Sequence, residues 1–234
     1  MDIEGCHVPD ELRVDVENGV WVRLEPDGSA TLGLLAPYLA FAGRLISVSF
    51  RAVEGIVPAG RSLGLIESVR LTAPIRTPVD AEVLERNEAL RARPRLAQDA
   101  PYTDGWFARL RPLGPLEVLP TAPEARAALA TQIAERRVRC YVAAPDVEVY
   151  EIGAECRAIL ARLDEELGRR DVGDVVLLVV DDPTAPIEME RWSDRTGYPI
   201  VDRRRADGLY HFLIRKVADP RPRRRGEGAG TPGP

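Results

Sequence analysis

The stretch that decides the fold of the second half of the chain is Glu148-Val149-Tyr150-Glu151-Ile152-Gly153-Ala154-Glu155-Cys156-Arg157-Ala158-Ile159-Leu160. Apolar side chains recur before Gly153, at Val147, Val149 and Ile152, which predicts a strand that ends at the glycine. After the glycine, four apolar residues share one face of a helix: Ile159, Leu160, Leu163 and Leu167. This stretch therefore predicts a strand, a turn and an amphipathic helix whose first turn contains Cys156.

Cys156 is the candidate nucleophile of the chain. The first turn of a helix presents unpaired backbone N–H groups and the positive end of the helix dipole, and both stabilise a thiolate. A second interpretation stays open, because Cys156 precedes the apolar stripe closely enough to be a core cysteine beneath the helix. The two interpretations differ in whether another molecule can reach the sulfur.

The order of segments from Val147 to Val217 resembles the TusA/SirA family of small sulfur-relay proteins. The shared features are a strand, Gly-x-x-Cys, a helix, Gly-Asp, an apolar strand, Asp181-Asp182-Pro183, a helix ending at Gly197 and a strand over 212–216. The resemblance implies an α+β two-layer βαβαββ sandwich in which Cys156 carries a persulfide sulfur. The family's Cys-Pro-x-Pro motif is Cys-Arg-Ala-Ile here, so both prolines are absent.

Composition limits the remaining possibilities. A length of 234 residues predicts two domains, and the net charge of −5 gives no reason to expect a nucleic-acid partner. The chain has no signal peptide and no apolar run of membrane-spanning length, which predicts a cytoplasmic protein with no membrane partner. Three irregularly spaced cysteines predict no disulfide framework, and no metal site or cofactor is expected. Cys6 and His7 could bind a metal ion as a pair, but the favoured interpretation of residues 1–12 is a flexible terminus.

The first half of the chain has a β pattern. Turn signals occur at Glu17-Asn18-Gly19 and Pro26-Asp27-Gly28. Three strands are predicted around them, over Val20–Leu24, Ala30–Leu34 and Leu45–Phe50, with a short helix over Leu35–Ala42 that stops at Gly43.

Residues from about Gly19 to Leu110 resemble the H protein of the glycine cleavage system. The resemblance depends on Ile66-Glu67-Ser68-Val69 and Asp104-Gly105-Trp106, together with Leu32-Gly33-Leu34 and Ala42-Gly43-Arg44-Leu45. It implies an all-β sandwich of the biotinyl/lipoyl type with short helices over residues 13–137. It also implies a hairpin turn bearing a lipoylated lysine, and lipoyl- or glycine-cleavage-type enzymes as possible partners.

Arg70 occupies the position that corresponds to the lipoylated lysine. A guanidinium stays protonated and delocalised, so it is not acylated as an amine is. Lys216 is the only lysine of the chain and lies far from this turn in sequence. The sequence thus predicts an H-like scaffold without its lipoyl arm. Arg70 either holds an anion or acidic partner or is an unconstrained relic.

The remaining segments connect and complete the two domains. Residues 112–123 are predicted as a connector and 124–137 as a helix that ends the first domain or bridges to the second. A strand over Val138–Val142, with Cys140 as a small buried hydrophobe, is expected to open a second domain spanning 138–218. A closing hairpin is expected around Ala206-Asp207-Gly208, followed by a disordered tail over 219–234.

Three further groups in the second domain are assigned structural roles. Asp181-Asp182-Pro183 is interpreted as the cap of the next helix, with Asp182 or Thr184 capping it, rather than as a metal or acid–base site. Met189 and Trp192 are expected in the core. His211 is expected to be a satisfied structural histidine.

Three hypotheses for function remain. The leading one is a sulfur-relay protein, a persulfide carrier or sulfurtransferase acting through Cys156, with protein sulfur donors and acceptors as partners and the H-like domain for docking. The second is a non-catalytic adaptor built from two degenerate carrier domains. The third, weaker hypothesis is a regulator that binds a lipoyl-processing or glycine-cleavage enzyme.

Overall fold

The computed structural model describes residues 1–52 and 55–221, with only the backbone of Cys156. The chain divides into two compact units, the first over Met1–Ala144 and the second from Pro145 onward. The boundary lies seven residues beyond the predicted one because residues 138–142 form no strand and belong to the first unit. Most of the predicted disordered tail, residues 222–234, lies outside the described residues.

The first unit contains eleven strands, four α-helices and one 3-10 helix, Leu116–Val118, among the described residues. Their bounds are β1 Asp2–Ile3, β2 Cys6–His7, β3 Arg13–Asp15, β4 Val20–Leu24, β5 Ala30–Leu34, α1 Ala36–Ala42, β6 Leu45–Phe50, β7 Ile56–Val57, β8 Ser62–Ser68, β9 Thr72–Arg76, β10 Ala81–Arg86, α2 Ala89–Ala92, α3 Leu96–Asp99, β11 Ala108–Pro112 and α4 Arg126–Glu135. The predicted strands β4, β5 and β6 are confirmed, whereas α2 and α3 were not predicted.

The core of the first unit lies between two antiparallel sheets. The larger has the order β3-β4-β5-β11-β10-β7, and the smaller has the order β6-β8-β9. Alternate residues of both sheets point inward and form one apolar cluster, as in a β-sandwich. Its members include Val48, Leu63, Ile66 and Ile75 of the smaller sheet and Val22, Leu32 and Leu110 of the larger. The predicted lipoyl-type sandwich is therefore present, and it places the β8–β9 hairpin tip at the end of the smaller sheet.

The N-terminus is part of the folded unit, so the prediction of a flexible segment over residues 1–12 is wrong. β1 and β2 form a hairpin whose Ile3 and Cys6 are buried, followed by a buried Val8. These side chains belong to a second apolar cluster that also contains Leu129 and Ile133 of α4. Burial of this apolar surface fixes the terminus against the helix.

Cys6 and Cys140 form a disulfide, which corrects three predictions. The sequence predicted no disulfide framework, Cys6 within a flexible terminus, and Cys140 as a small buried hydrophobe within a strand. The two cysteines are separated by 134 positions, and their proximity follows only from the packing of the N-terminal hairpin. His7 instead lies 3.4 Å from the Asp2 carboxylate.

The second unit consists of a four-stranded mixed sheet and two helices. Its elements are β12 Val147–Glu151, α5 Cys156–Gly168, β13 Val175–Val180, α6 Ala185–Thr196, β14 Ile200–Ala206 and β15 Leu209–Arg215. The sheet order is β12-β13-β15-β14, and only the β12–β13 pair is parallel. The predicted closing hairpin around Asp207 is confirmed as β14–β15.

The predicted apolar stripe of α5 is also confirmed. Ile159, Leu163 and Leu167 are buried and share one cluster with Met189 and Trp192 of α6. Both helices therefore pack their apolar faces onto the sheet. The residues at which α5 and α6 begin lie near the carboxyl ends of β12 and β13. Across the part of the chain that the structure describes, no helix combines the length and apolar character needed to span a bilayer.

Candidate functional site

The β8–β9 hairpin tip, residues 68–71, is a tight turn held by the hydroxyl of Ser68. This buried oxygen accepts the backbone N–H groups of Arg70, at 3.3 Å, and of Leu71, at 3.0 Å. The hydroxyl donates to the Leu71 carbonyl, and the Ser68 N–H donates to the same carbonyl at 2.9 Å. The turn is thus fixed from inside, and Arg70 projects from a rigid base.

Arg70 lies against the carboxyl end of α1. One of its terminal nitrogens donates to the carbonyl oxygens of Phe41, at 3.2 Å, and Ala40, at 3.4 Å. The last carbonyls of a helix have no partner within the helix, and a cation placed there also interacts favourably with the dipole. Arg70 is exposed, so this contact is worth about 0.3–1 kcal/mol.

Gly43 permits the hairpin tip to approach the helix end. It ends α1 with φ of 72°, and a Cβ added there would lie 3.0 Å from Val69 and 3.3 Å from the Arg70 side chain. The backbone of the tip is also attached, because the Val69 N–H donates to the Arg44 carbonyl at 3.0 Å. Neither interpretation offered by the sequence described this arrangement, in which Arg70 contacts a helix end within its own unit.

The second candidate site lies where β12 and β13 end and their following helices begin. Cys156 is the first residue of α5, and its side chain lies outside the described residues. The Glu155 carbonyl accepts the N–H groups of Ala158 and Ile159 at 2.9 and 3.2 Å, which starts the helix. The predicted position of Cys156 in the first helical turn is therefore confirmed for the backbone.

Asp181 connects the two loops at this edge. Its carboxylate accepts the Gly153 N–H at 2.9 Å, so the turn before α5 is attached to the loop before α6. Gly153 has φ of 72°, a left-handed conformation that favours glycine. The turn before α5 is therefore held in one conformation by this hydrogen bond and by the glycine.

Asp182 organises the start of α6. Its carboxylate accepts both the N–H and the hydroxyl of Thr184 at 2.7 Å, and these hydrogen bonds lower the pKa of Asp182. Thr184 is the residue before the helix, although its own side chain makes no capping bond. The interpretation of this segment as a helix start agrees with the geometry. Among the described residues, no group of histidine, cysteine and carboxylate side chains is arranged to hold a metal ion.

A groove of about 600 Å³ runs between α5 and α6 from this edge. Its lining contains apolar and charged side chains: Arg157, Leu160, Ala161, Asp164, Thr184, Glu188 and Arg195. Asp164 accepts the indole N–H of Trp192 at 2.9 Å, and Glu188 pairs with Arg191 at 2.8 Å. The groove begins beside Arg157, the residue after Cys156. No local sequence pattern indicates it, because residues of two separate helices line it.

The other residues singled out in the second unit, Met189, Trp192 and His211, are buried. Met189 and Trp192 are core residues of α6, as predicted. His211 is buried in β15, opposite Val179 of β13 and Arg204 of β14. Arg70 belongs to the first unit and Cys156 to the second.

Comparison with known proteins concerns the first unit. Residues 12–132, just over half of the chain, match the family model described as glycine cleavage H-protein. Glycine cleavage system H protein 5 of Aquifex aeolicus is 34% identical over 146 residues, covering 59% of this chain and 98% of that protein. The H protein of Chromobacterium violaceum is 36% identical over 106 residues, covering 45% of this chain and 82% of that protein.

A solved structure gives a similar match. The crystal structure of a glycine cleavage system H protein from Mycobacterium marinum aligns with a TM-score of 0.46 and 25% sequence identity. The alignment covers 54% of this chain and 99% of that chain.

Proposed function

Because the chain belongs to the glycine cleavage H-protein family, we propose that its first unit is an H-like docking module without a lipoyl arm, and that its second unit relays sulfur through Cys156. The observation that carries the proposal is the position of Cys156 as the first residue of α5, at the carboxyl ends of the parallel strands β12 and β13. A thiol at a helix N-terminus is activated by the backbone N–H groups and the dipole.

The second unit supports a TusA/SirA-like interpretation through its order of elements. Strand, helix, strand, helix, strand and strand follow one another, with the cysteine opening the first helix. The two prolines of the TusA/SirA motif are absent here. We propose that Gly153 and Asp181 take over their role, because the hydrogen bond between them, at 2.9 Å, fixes the turn before the helix. We therefore assign the second unit the role of a sulfur carrier.

The chemistry is a pair of thiol–persulfide exchanges. The Cys156 thiolate attacks the outer sulfur of a donor persulfide, the S–S bond of the donor breaks, and the donor leaves as a thiolate. Cys156 then holds a persulfide. In the second step an acceptor thiolate attacks the outer sulfur, and Cys156 is released as a thiolate. No net oxidation occurs, so no further reactant is needed.

The groove between α5 and α6 is the proposed docking position of the donor or acceptor segment. It begins beside Arg157, the residue after Cys156, and continues past Leu160 and Ala161 toward Arg195. A partner segment lying there would carry its own thiol to the start of α5. The proposed partners are proteins that donate or accept sulfur.

The first unit is assigned a docking role without lipoylation. Arg70 stands at the tip where H proteins are lipoylated, and its guanidinium contacts the end of α1 instead of projecting freely. Other surfaces of the sandwich remain available to enzymes that recognise H proteins. We propose that lipoyl- or glycine-cleavage-type enzymes are the docking partners of this unit.

The relay is tested by loading sulfur onto the full chain. The protein is treated with a cysteine desulfurase and cysteine, alkylated with a persulfide-trapping reagent, and mapped by mass spectrometry. The expected product is one additional sulfur atom on Cys156, absent in Cys156→Ser. The relay would be refuted if the thiol at position 156 acquires no sulfur and resists alkylation until the protein is denatured. The adaptor function would then remain.

The adaptor is the second candidate function. It is favoured by Arg70, whose side chain is held against the end of α1 and does not form the mobile arm that a lipoyl carrier needs. The missing arm is tested with Arg70→Lys, using a lipoate–protein ligase with ATP and lipoate. The variant is expected to become lipoylated at position 70, whereas the wild type is not. Arg76→Lys in β9 makes the same chemical change away from the tip and should stay unmodified. Lipoylation of the wild type, or of both variants equally, would contradict the assignment.

A further inference from the structure

The arginines that line the groove between α5 and α6 differ from the other arginines of the two helices. The helices contain four arginines: Arg157, Arg162, Arg191 and Arg195. Arg162 and Arg191 each pair with a glutamate of the same helix, at 3.1 and 2.8 Å. Arg157 and Arg195 line the groove and are exposed, and neither guanidinium is paired with a carboxylate of the residues that the structure describes. The groove therefore presents two positive charges that its own unit does not neutralise.

The two arginines lie at different depths along the groove. Both helices follow strands that are parallel to each other, so α5 and α6 begin at the same edge of the sheet and run side by side. Arg157 is the second residue of α5, whereas Arg195 is the eleventh residue of α6. Because a helix rises 1.5 Å per residue, Arg195 lies about 14 Å further from that edge. An extended chain covers this distance in about four residues.

The wall between the two arginines is first apolar and then acidic. Leu160 and Ala161 lie about one helical turn beyond Arg157, and Asp164 lies about one turn beyond them. The Asp164 carboxylate accepts the indole N–H of Trp192 at 2.9 Å and has no cationic partner among the residues described here. From the edge inward, the lining is therefore positive, apolar, negative and positive.

We propose that the groove binds an extended partner segment whose side chains have the complementary order. The segment has an acidic residue beside its cysteine, an apolar residue next, a basic residue three positions after the acidic one, and a second acidic residue at four positions. The acidic residues pair with Arg157 and Arg195, the basic residue pairs with Asp164, and the apolar residue covers Leu160. This rests on the proposed relay, because it defines the segment that brings a donor or acceptor thiol to the start of α5.

The arrangement provides specificity more than affinity. An exposed ion pair contributes little to binding, changing an equilibrium constant by up to about fivefold. A segment with the opposite charges, however, meets a like charge at all three positions and is rejected. The preference for one charge order over the other is therefore the quantity to measure.

The test uses two fluorescently labelled peptides that have serine in place of cysteine, so that no sulfur chemistry takes place. The first is Ser-Glu-Leu-Ala-Lys-Glu, and the second, with reversed charges, is Ser-Lys-Leu-Ala-Glu-Lys; each is made in both chain directions. Binding to the full chain is followed by fluorescence anisotropy at low ionic strength. In at least one direction the wild type is expected to bind the first charge order about tenfold more tightly, and about 0.5 M salt should remove the preference.

Charge reversal of the groove provides the matched comparison. The double variant Arg157→Glu/Arg195→Glu should prefer the second charge order. Arg203→Glu makes the same chemical change at an exposed arginine of β14 that does not line the groove, and it should keep the preference of the wild type. A reversal confined to the groove variant would assign the recognition to these two arginines.

The proposal would be overturned if the wild type binds both charge orders equally, or binds neither at millimolar concentration. It would also be overturned if Arg203→Glu changes the preference as much as the groove variant does. These outcomes are separate from failure of the relay, which is measured as sulfur on Cys156 without any peptide. Sulfur on Cys156 with no charge preference refutes the docking proposal alone. A charge preference without sulfur on Cys156 refutes the relay and leaves the groove as a docking surface.

Discussion

Removing the disulfide should lower the stability of the first unit substantially, and Cys140→Ala is the variant that removes it with least disturbance. Cys140 is half-buried at the edge of the apolar cluster, so its replacement by alanine leaves no large cavity. The remaining Cys6 behaves as a small buried hydrophobe. The change therefore isolates the loss of the covalent link.

The magnitude follows from the chain enclosed by the bond. The cysteines are separated by 134 positions, so nearly the whole first unit lies within the loop. Chain-entropy arguments give about 5 kcal/mol for a loop of this length at 25 °C, and measured values for native disulfides are commonly about 2–5 kcal/mol. A loss of about 2–5 kcal/mol corresponds to a melting temperature lower by about 6–15 °C for a unit of this size.

The assay must report on the first unit alone. In a Trp192→Phe background the remaining tryptophans, Trp21 and Trp106, lie in the first unit, so their fluorescence follows its unfolding in guanidinium chloride. Cys6→Ala and the double variant should fall within about 1 kcal/mol of Cys140→Ala, because each removes the same bond. Cys156→Ala keeps the disulfide and is the control, expected within about 0.5 kcal/mol of its parent.

The reasoning would be refuted by a Cys140→Ala variant less than about 1 kcal/mol below its parent, provided that the parent is shown to be oxidised. It would equally be refuted if the two single variants and the double variant differed by several kcal/mol. Their effects would then come from packing at each position and not from the shared bond.

Three other predictions concern packing, the hairpin tip and pH. Leu163→Ala should cost the second unit about 2–5 kcal/mol because the side chain is fully buried, whereas Ile187→Ala, at an exposed position, should stay within about 0.5 kcal/mol. Both are measured by guanidinium chloride titration of the chain that keeps Trp192, whose fluorescence follows the second unit. Ser68→Ala should cost about 1–2 kcal/mol of first-unit stability and increase amide exchange at the tip, since two N–H groups lose their acceptor. The pKa of Asp182 is lowered from 3.8, so its contribution to stability is present above that value and is lost as the pH falls below it. Thr184→Val should reduce this lowering of the pKa, as measured by an NMR titration of the Asp182 carboxyl group. An unchanged pKa would contradict its assignment to the Thr184 hydroxyl.

Local patterns were sufficient for much of the secondary structure. Three features could be predicted because each depends on residues close together in sequence: the turn at Asn18-Gly19, the strands on either side of Pro26-Asp27-Gly28, and the apolar stripe of α5. Predictions at the junction between the units failed. Residues 138–142 have the composition of a strand, but they pack on the first unit and pair with no sheet.

The sequence by itself determined that the first unit is an H-like sandwich, that the chain has an arginine at position 70, and that Cys156 opens a helix. Each of these follows from the identity of a residue or from a periodicity of a few positions. Only the tertiary structure decided that Arg70 contacts the end of α1, that Asp181 holds Gly153, and that Cys6 bonds to Cys140. These contacts join residues 28 to 134 positions apart. Such pairs meet only after the sheets and helices have packed, because burial of the apolar faces, and not local preference, brings them together.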